Sequence, residues 1–387
     1  MKRTNRINSA FAGIGTAVLL ASGSVFAGGS GKAVADKDPV EEEPWAYCDV
    51  FDLLKLYEDD GNPCIDSFAI IGRYHGQYHY VDGNQGKDDG WDNRRTRIGT
   101  KIGFLSMFTF DMQFNLDVDG GGRFFEDIEE ATIKFKPWKN GTIKLGKQKA
   151  AITREWSTSS RKIKTIERSQ LVNQVVSDKI YGVTLKQKVN DKLWAEGGIY
   201  CGSYDEDWET PEFNGSAVGS VRIGYNVTGQ SEVRLDYTYT DGAGVDNGVN
   251  DYDHLVSLNS ESQWDKLGLV TDLIFGSGID DSNHSDVFGI VVMPNYKVTD
   301  KLEGILRYTF STSDSDNGIR LQKRYERPSA SSNQYGDTYN AIYAGLNYYL
   351  CGDNLKLMTG VEYSDLKAPK GDDWKGWSVF TGVRLYF

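Results

Sequence analysis

The chain stops inside a strand. Residues 377–387, Trp-Ser-Val-Phe-Thr-Gly-Val-Arg-Leu-Tyr-Phe, put Trp377, Val379, Thr381, Val383, Leu385 and Phe387 on one face and Ser378, Gly382 and Arg384 on the other. In an ordinary sheet that apolar face and the outer backbone edge would stand open, an invitation to edge-to-edge association. Closure against a first strand removes the edge. A lipid-facing apolar row, a small or polar row facing a wet lumen and an aromatic at the interface then account for the alternation.

The same period of two recurs from Asp66 onward. In Phe108–Val118 every even position is apolar and every odd one polar, with Asp111, Gln113, Asn115 and Asp117 among the latter. A sheet buried on both faces has no place for such a row. The pattern returns in 233–239 and 302–310. Short polar turns (Lys139-Asn-Gly141, Asn190-Asp-Lys192, Thr228-Gly-Gln230, Thr299-Asp-Lys301, Cys351-Gly-Asp-Asn354) alternate with eight long connections at 82–92, 119–126, 150–177, 203–215, 241–251, 277–285, 313–337 and 367–375. The fold class is therefore all-β, a transmembrane antiparallel β-barrel over 66–387. One hairpin per long loop gives sixteen strands. Fourteen and eighteen stay open, because 252–276 is weakly patterned.

The start of the chain points to export. Lys2, Arg3 and Arg6 precede an apolar stretch from Ala10 to Ala21 and a Val25-Phe26-Ala27 cleavage pattern, the plan of a signal peptide over 1–27. Loss of those three cations takes the formal charge from −12 to −15, which argues against nucleic acid as a partner. The mean hydropathy of −0.49 suits a polar-lined barrel in an outer membrane. Residues 28–65 read as a periplasmic segment: a Gly/Ser/Ala-rich, then acidic tail, followed by a short amphipathic helix carrying Val50, Phe51, Leu53, Leu54 and Tyr57. Four cysteines in an oxidising compartment invite pairing. Cys48 and Cys64 bracket a short segment and are the expected disulfide. Cys201 and Cys351 fall at opposite ends of the barrel and are expected as free thiols.

Cations mark the candidate site. The connection 150–177 carries Arg154, Arg161, Lys162, Lys164 and Arg168 against Glu155 and Glu167, and also Ile163, Ile166, Leu171, Val172, Val175 and Val176. A loop both basic and apolar is better placed against the barrel wall than in water. Inside a narrow lumen its charges would concentrate anions. Parity turns Arg95, Arg97, Lys101, Lys134, Lys136 and Lys144 inward as further sites, while Asp111, Asp117 and Glu130 on the same strands offer to pair with them.

Residues 66–387 resemble the phosphate-selective porin O and P family. The resemblance rests on Arg94-Arg-Thr-Arg-Ile-Gly99, on Lys144-Leu-Gly-Lys-Gln-Lys149 leading into the long connection, on Ser159-Ser-Arg161 followed by Glu167-Arg-Ser169, and on the closing 346–350, 355–358 and Phe387. It implies a sixteen-stranded, trimeric, anion-passing channel with its third loop folded inward. The cysteine-bounded segment lies outside the family pattern.

The expected function is thus an outer-membrane porin, a passive diffusion channel favouring anions such as phosphate. Its partners would be outer-membrane lipids, small anions and, through Phe387, the barrel-assembly machinery. Two other readings stand beside it: a general or carbohydrate porin with Trp156, Tyr74 and Tyr78 as a stacking track, and a closed structural or adhesive barrel with 203–215, 241–251 and 313–337 as working surfaces. No enzyme, cofactor or metal is expected. His75 and His79, four apart on one strand, lie about 13 Å from each other, too far to share a metal. His254 and His284 complete no catalytic pattern.

Overall fold

The computed structural model describes residues 47–119, 124–201, 217–241, 252–278 and 285–387. Sixteen antiparallel strands close into a barrel. The first half comprises β1 (Ile65–Gly83), β2 (Lys87–Phe104), β3 (Phe108–Leu116), β4 (Phe125–Phe135), β5 (Gly141–Lys149), β6 (Lys179–Lys188), β7 (Leu193–Cys201) and β8 (Ala217–Thr228). The second comprises β9 (Ser231–Asp241), β10 (Tyr252–Trp264), β11 (Leu267–Gly278), β12 (Val287–Lys297), β13 (Leu302–Ser313), β14 (Thr338–Tyr349), β15 (Leu355–Lys367) and β16 (Trp374–Tyr386). β16 pairs with β1 from Gly376↔Gly83 to Tyr386↔Arg73, so the terminal strand closes the cylinder as its alternation requires.

Parity holds along that strand. Trp377 and Val379 are exposed on the outer face, whereas Arg384 is 1% exposed and donates inward to Gln77 Oε1 and Ile166 O. The first long connection shrinks to 84–86, because β1 and β2 run on through 82–92. The expected leader 1–27 and the tail to 46 lie outside the described residues, as do most of 203–215, 241–251 and 277–285.

The third connection, 150–178, folds onto the inner wall. Thr153 caps α1 (Arg154–Ser157), its Oγ1 accepting from Trp156 N, and Ser169 caps α2 (Gln170–Val175), its Oγ accepting from Val172 N. Ile166, Leu171, Val172 and Val175 then pack against Tyr252, Leu255, Val270, Ile274, Val287 and Val291 from β10 to β12. This explains the weak pattern of 252–276. There the inward row mixes apolar Leu255, Val270 and Ile274, which cover a loop rather than water, with the buried polar Ser257, Asn259 and Asp272.

The seventh connection, 314–337, also turns inward, so it is not the free outer surface that the adhesive reading needs. Ile319, Leu321 and Tyr325 join the same core. The Gln174 amide donates to Gly318 O, and Gln170 to Arg320 O, which ties the two loops together. The short helix α3 (Glu326–Ser329) places Glu326 among Tyr339 Oη and Gln322 N, each donating to its carboxylate at 2.7 Å.

The cysteine expectation is corrected. Cys48 bonds to Cys351, 303 positions away, and Cys64 is an exposed thiol. A strand at Lys55–Glu58 lies on the β16 side of β1. The 3-10 helix Tyr47–Leu54 before it carries Cys48 on to the turn between β14 and β15, where Tyr47 Oη donates to Leu350 O. Cys64 faces the other way, its carbonyl accepting from Leu105 N in the β2–β3 turn. Nearness in sequence was therefore the wrong guide. Tyr57, expected in the helix, belongs to the strand. Cys201 is a buried thiol that donates to Tyr181 O.

Two outcomes follow from the inner packing. Leu171, fully buried, loses contacts on both loop and wall when replaced: Leu171→Ala costs about 2–5 kcal/mol, read as a lowered urea midpoint for the barrel folded into vesicles. Burial, with Glu362 next in effect, pushes the Glu326 carboxyl up from 4.5 to about 7. The folded chain thus holds this proton more tightly than the unfolded one, and the stabilisation is complete below 4.5 and is lost as pH rises through about 7. Amide exchange over 319–336, corrected for its intrinsic pH dependence, should accelerate as pH rises from 4.5 to about 7 and level off above that, and Glu326→Gln should flatten that rise.

Candidate functional site: a charged half-lumen

With one side of the barrel filled by the two loops, a cavity of about 1240 Å³ runs along the other, lined from β1 to β8, by the third and seventh loops, and by Tyr386. Thirteen Lys and Arg and eight Asp and Glu face it. The chain as a whole carries a formal −12, so the lining reverses the overall sign.

Local breaks in the strand ladders create much of this charge. The pairing of β1 with β2 slips between His75↔Arg95 and Gly76↔Asn93, leaving Arg94 as an extra residue. A bulge of this kind re-aims a side chain that plain alternation would send to lipid. Arg94 turns inward and pairs with Glu167 of the third loop. β4 slips twice against β3, between Gln113↔Glu130 and Phe114↔Ile128, and again between Asn115↔Asp127 and Leu116↔Phe125. The extra residues there are Glu129 and Glu126, and both line the cavity.

The acids so recruited bind part of the cationic ladder. Arg97 pairs with Glu129 at 2.7 Å, Lys144 with Glu130 at 3.1 Å, and Lys179 with both at 2.9 and 2.6 Å. Burial works to raise the pKa of Glu167, but Arg94 and Arg95 beside it prevail and hold it well below the usual carboxylate range. Other cations in the cavity touch neutral groups instead. Arg73 donates to Ser160 Oγ and to Gln113 Oε1, and Arg95 Nη1 lies 3.4 Å from His75 Nδ1. Lys149 Nζ donates to Trp156 O at 2.6 Å, and Arg168 to Glu155 O and Thr158 O. Lys149 and Arg168 also lie over the Trp156 ring, 4.5 and 5.0 Å from its centroid. Lys323 and Arg324 add the seventh loop to the lining, with Arg324 paired to Asp92.

The structure brings Arg95, Arg97, Lys134, Lys144 and Arg168 together at this cavity. It takes the other sequence candidates elsewhere. Arg154 is pinned to the far wall by Glu232 at 2.6 Å and Glu261 at 2.8 Å, and Lys164 by Glu303. These loop charges are structural ties, because the wall behind the loop supplies acids. Lys162 is exposed at a small crevice behind the loop, between it and β10–β12. Arg161 donates to Asn354 and stacks on Tyr386, 4.2 Å from the ring centroid. Lys101 keeps its inward parity opposite Asp111 but is exposed outside the cavity, and Lys136 sits in the turn after β4. Tyr74 and Tyr78 pair with Leu385 and Thr381 on the outer face, so of the supposed stacking track only Trp156 reaches the lumen.

Cations of the lining missed by sequence reasoning were Arg73, Arg94, Lys147, Lys149, Lys179, Arg222, Lys323 and Arg324. Arg73 has the same parity as His75 and was within reach of the same rule. Arg94 was hidden by the bulge. Beyond the positive-φ Gly146, Lys147, Gln148 and Lys149 all line the cavity, a row that simple alternation does not produce.

Comparison with known proteins agrees with this fold. Residues 68–210 match the family described as phosphate-selective porin O and P. No curated protein matches the sequence. Among solved structures, the chain is similar to the outer membrane channel DcaP of Acinetobacter baumannii (13% identity, TM-score 0.55, covering 86% of this chain and 99% of that one). It is similar also to OmpT of Vibrio cholerae (13%, 0.54, 83% and 98%) and to OprB of Pseudomonas putida (11%, 0.55, 83% and 94%). Residues 68–210 thus match the model of the phosphate-selective porin O and P family, and the solved structures share the fold of an outer-membrane β-barrel.

Proposed function

We propose that the channel passes small hydrophilic solutes by passive diffusion and favours anions. The observation that carries this reading is the set Arg73, Arg95, Lys149 and Arg168, four lumen cations that make no ion pair among the described residues. Their neighbours Arg97, Lys144 and Lys179 are neutralised by Glu129 and Glu130, so selectivity rests on the four rather than on the whole ladder. Guanidinium forks offer an oxyanion paired hydrogen bonds that a hydrated lumen would otherwise supply through water. Partners already in place, hydroxyl and carbonyl oxygens, hold each fork in position without cancelling its charge.

An anion would meet Lys323 and Arg324 first, then pass between the third loop and β1–β6 from one cation to the next, each site weak enough to release it. Inorganic phosphate fits this chemistry. A carbohydrate channel is less well supported, because the aromatic track it needs is not in the lumen. Assembly as a homotrimer belongs to the same reading; OmpT of Vibrio cholerae has been solved in a trimer form.

Reversal potentials in a salt gradient across a planar bilayer test the selectivity. Anion preference is expected for the native channel. At about 6 Å and an effective dielectric of about 20 one unit charge is worth roughly 3 kcal/mol before screening. Arg73→Gln together with Arg95→Gln should therefore lower the anion-to-cation permeability ratio several-fold while leaving the channel open. Block of chloride current by phosphate, but not by maltose-type oligosaccharides, separates the two solute classes. Cation preference in the native channel would overturn the reading.

A further inference from the structure

The closing strand is shorter than the strand it closes against. Pairing between β16 and β1 ends at Tyr386↔Arg73, after which Phe387 and Gly72 exchange backbone hydrogen bonds of 2.9 and 3.1 Å. A Cβ at Gly72 would collide with the Phe387 ring, so glycine is required where the chain ends. β1 continues beyond this point to Ile65, paired on its other side with β2 as far as Phe104. On the β16 side its residues 67–69 would present a bare edge.

The start of the barrel chain fills that edge. Strand Lys55–Glu58 pairs antiparallel with it, Lys55↔Ala69, Tyr57↔Phe68 and Glu58↔Ser67, and so prolongs the line of β16 past Phe387. The 3-10 helix that precedes it buries no residue, so packing holds it weakly. It is held instead by the Cys48–Cys351 bond to the β14–β15 turn. In the same turn Asn354 O accepts from Tyr386 N. The foot of β16 is thereby bracketed, with the strand 55–58 on one side and the disulfide-bonded turn on the other.

Every other neighbouring pair of barrel strands is consecutive in the chain. β1 and β16 alone meet at opposite ends of the sequence and are joined by backbone hydrogen bonds without a connecting loop. We propose that residues 47–58 are a covalent clasp over this seam, in which the Cys48–Cys351 disulfide fixes the added strand so that β1 and β16 cannot part at the end of the barrel that carries the turns. The clasp makes seam opening sensitive to thiol reductants while leaving the remaining strand pairs indifferent to them.

Hydrogen exchange on the full chain, folded and then reduced in place, tests this without a refolding step. Peptides covering 65–74 and 380–387 should exchange at least about tenfold faster after reduction, while those of β8 and β9 keep their rates. Cys351→Ser should show the fast seam without reductant, and Cys64→Ser should behave as the native chain does. The proposal is overturned by equal rates before and after reduction, by acceleration throughout the barrel, or by peptide mapping that finds Cys48 bonded to Cys64.

Discussion

The lumen is organised by one apolar contact. Ile166, Leu171, Val172 and Val175 of the third loop lie against an inward row of aliphatic and aromatic side chains from β10 to β16. A water-filled barrel has no reason to place Val270, Ile274, Val287 and Val291 on its inner face. A barrel that must hold a long loop against its wall does, since each buried side chain gains its transfer free energy from the lumen water it displaces. That contact fills the β10–β12 side of the lumen. What is left for solutes lies along β1 to β8, and the charged residues that matter are the ones on that side.

The same contact sorts the loop's own charges. Arg154 and Lys164 face the occupied half, where Glu232, Glu261 and Glu303 await them. Arg168 faces the open half, where its guanidinium rests on carbonyl oxygens and an indole ring. Three cations from a single basic segment therefore have two different jobs, and their chemistry alone could not divide them. The deciding quantity is which wall lies opposite.

Much of the fold was legible in the sequence because a membrane barrel obeys a rule with period two. Parity identified the lipid row of β16, the inward position of Arg384 and the placement of Arg95 and Arg97, and the loop count gave sixteen strands. It failed where the period itself breaks: Arg94, Glu126 and Glu129 are extra residues in their ladders, and no count of alternate positions finds them. It failed again at Cys48, where separation along the chain was a poor proxy for separation around a cylinder. The two ends of a closed sheet are neighbours in space.

The bulges have a consequence for how such a channel changes. In a regular strand a residue faces the lumen or the lipid by its number, and altering the lining requires replacing side chains. Where an extra residue sits in the ladder, the lining depends on where the irregularity lies as much as on composition. Sliding the β2 bulge by a single position would exchange an arginine for its neighbour, and removing the one at Glu129 would send a carboxylate toward lipid and release Arg97 from its partner. The charge of the lining in this barrel is therefore written partly in backbone register, and a one-residue insertion or deletion can rewrite it while the residues themselves stay the same.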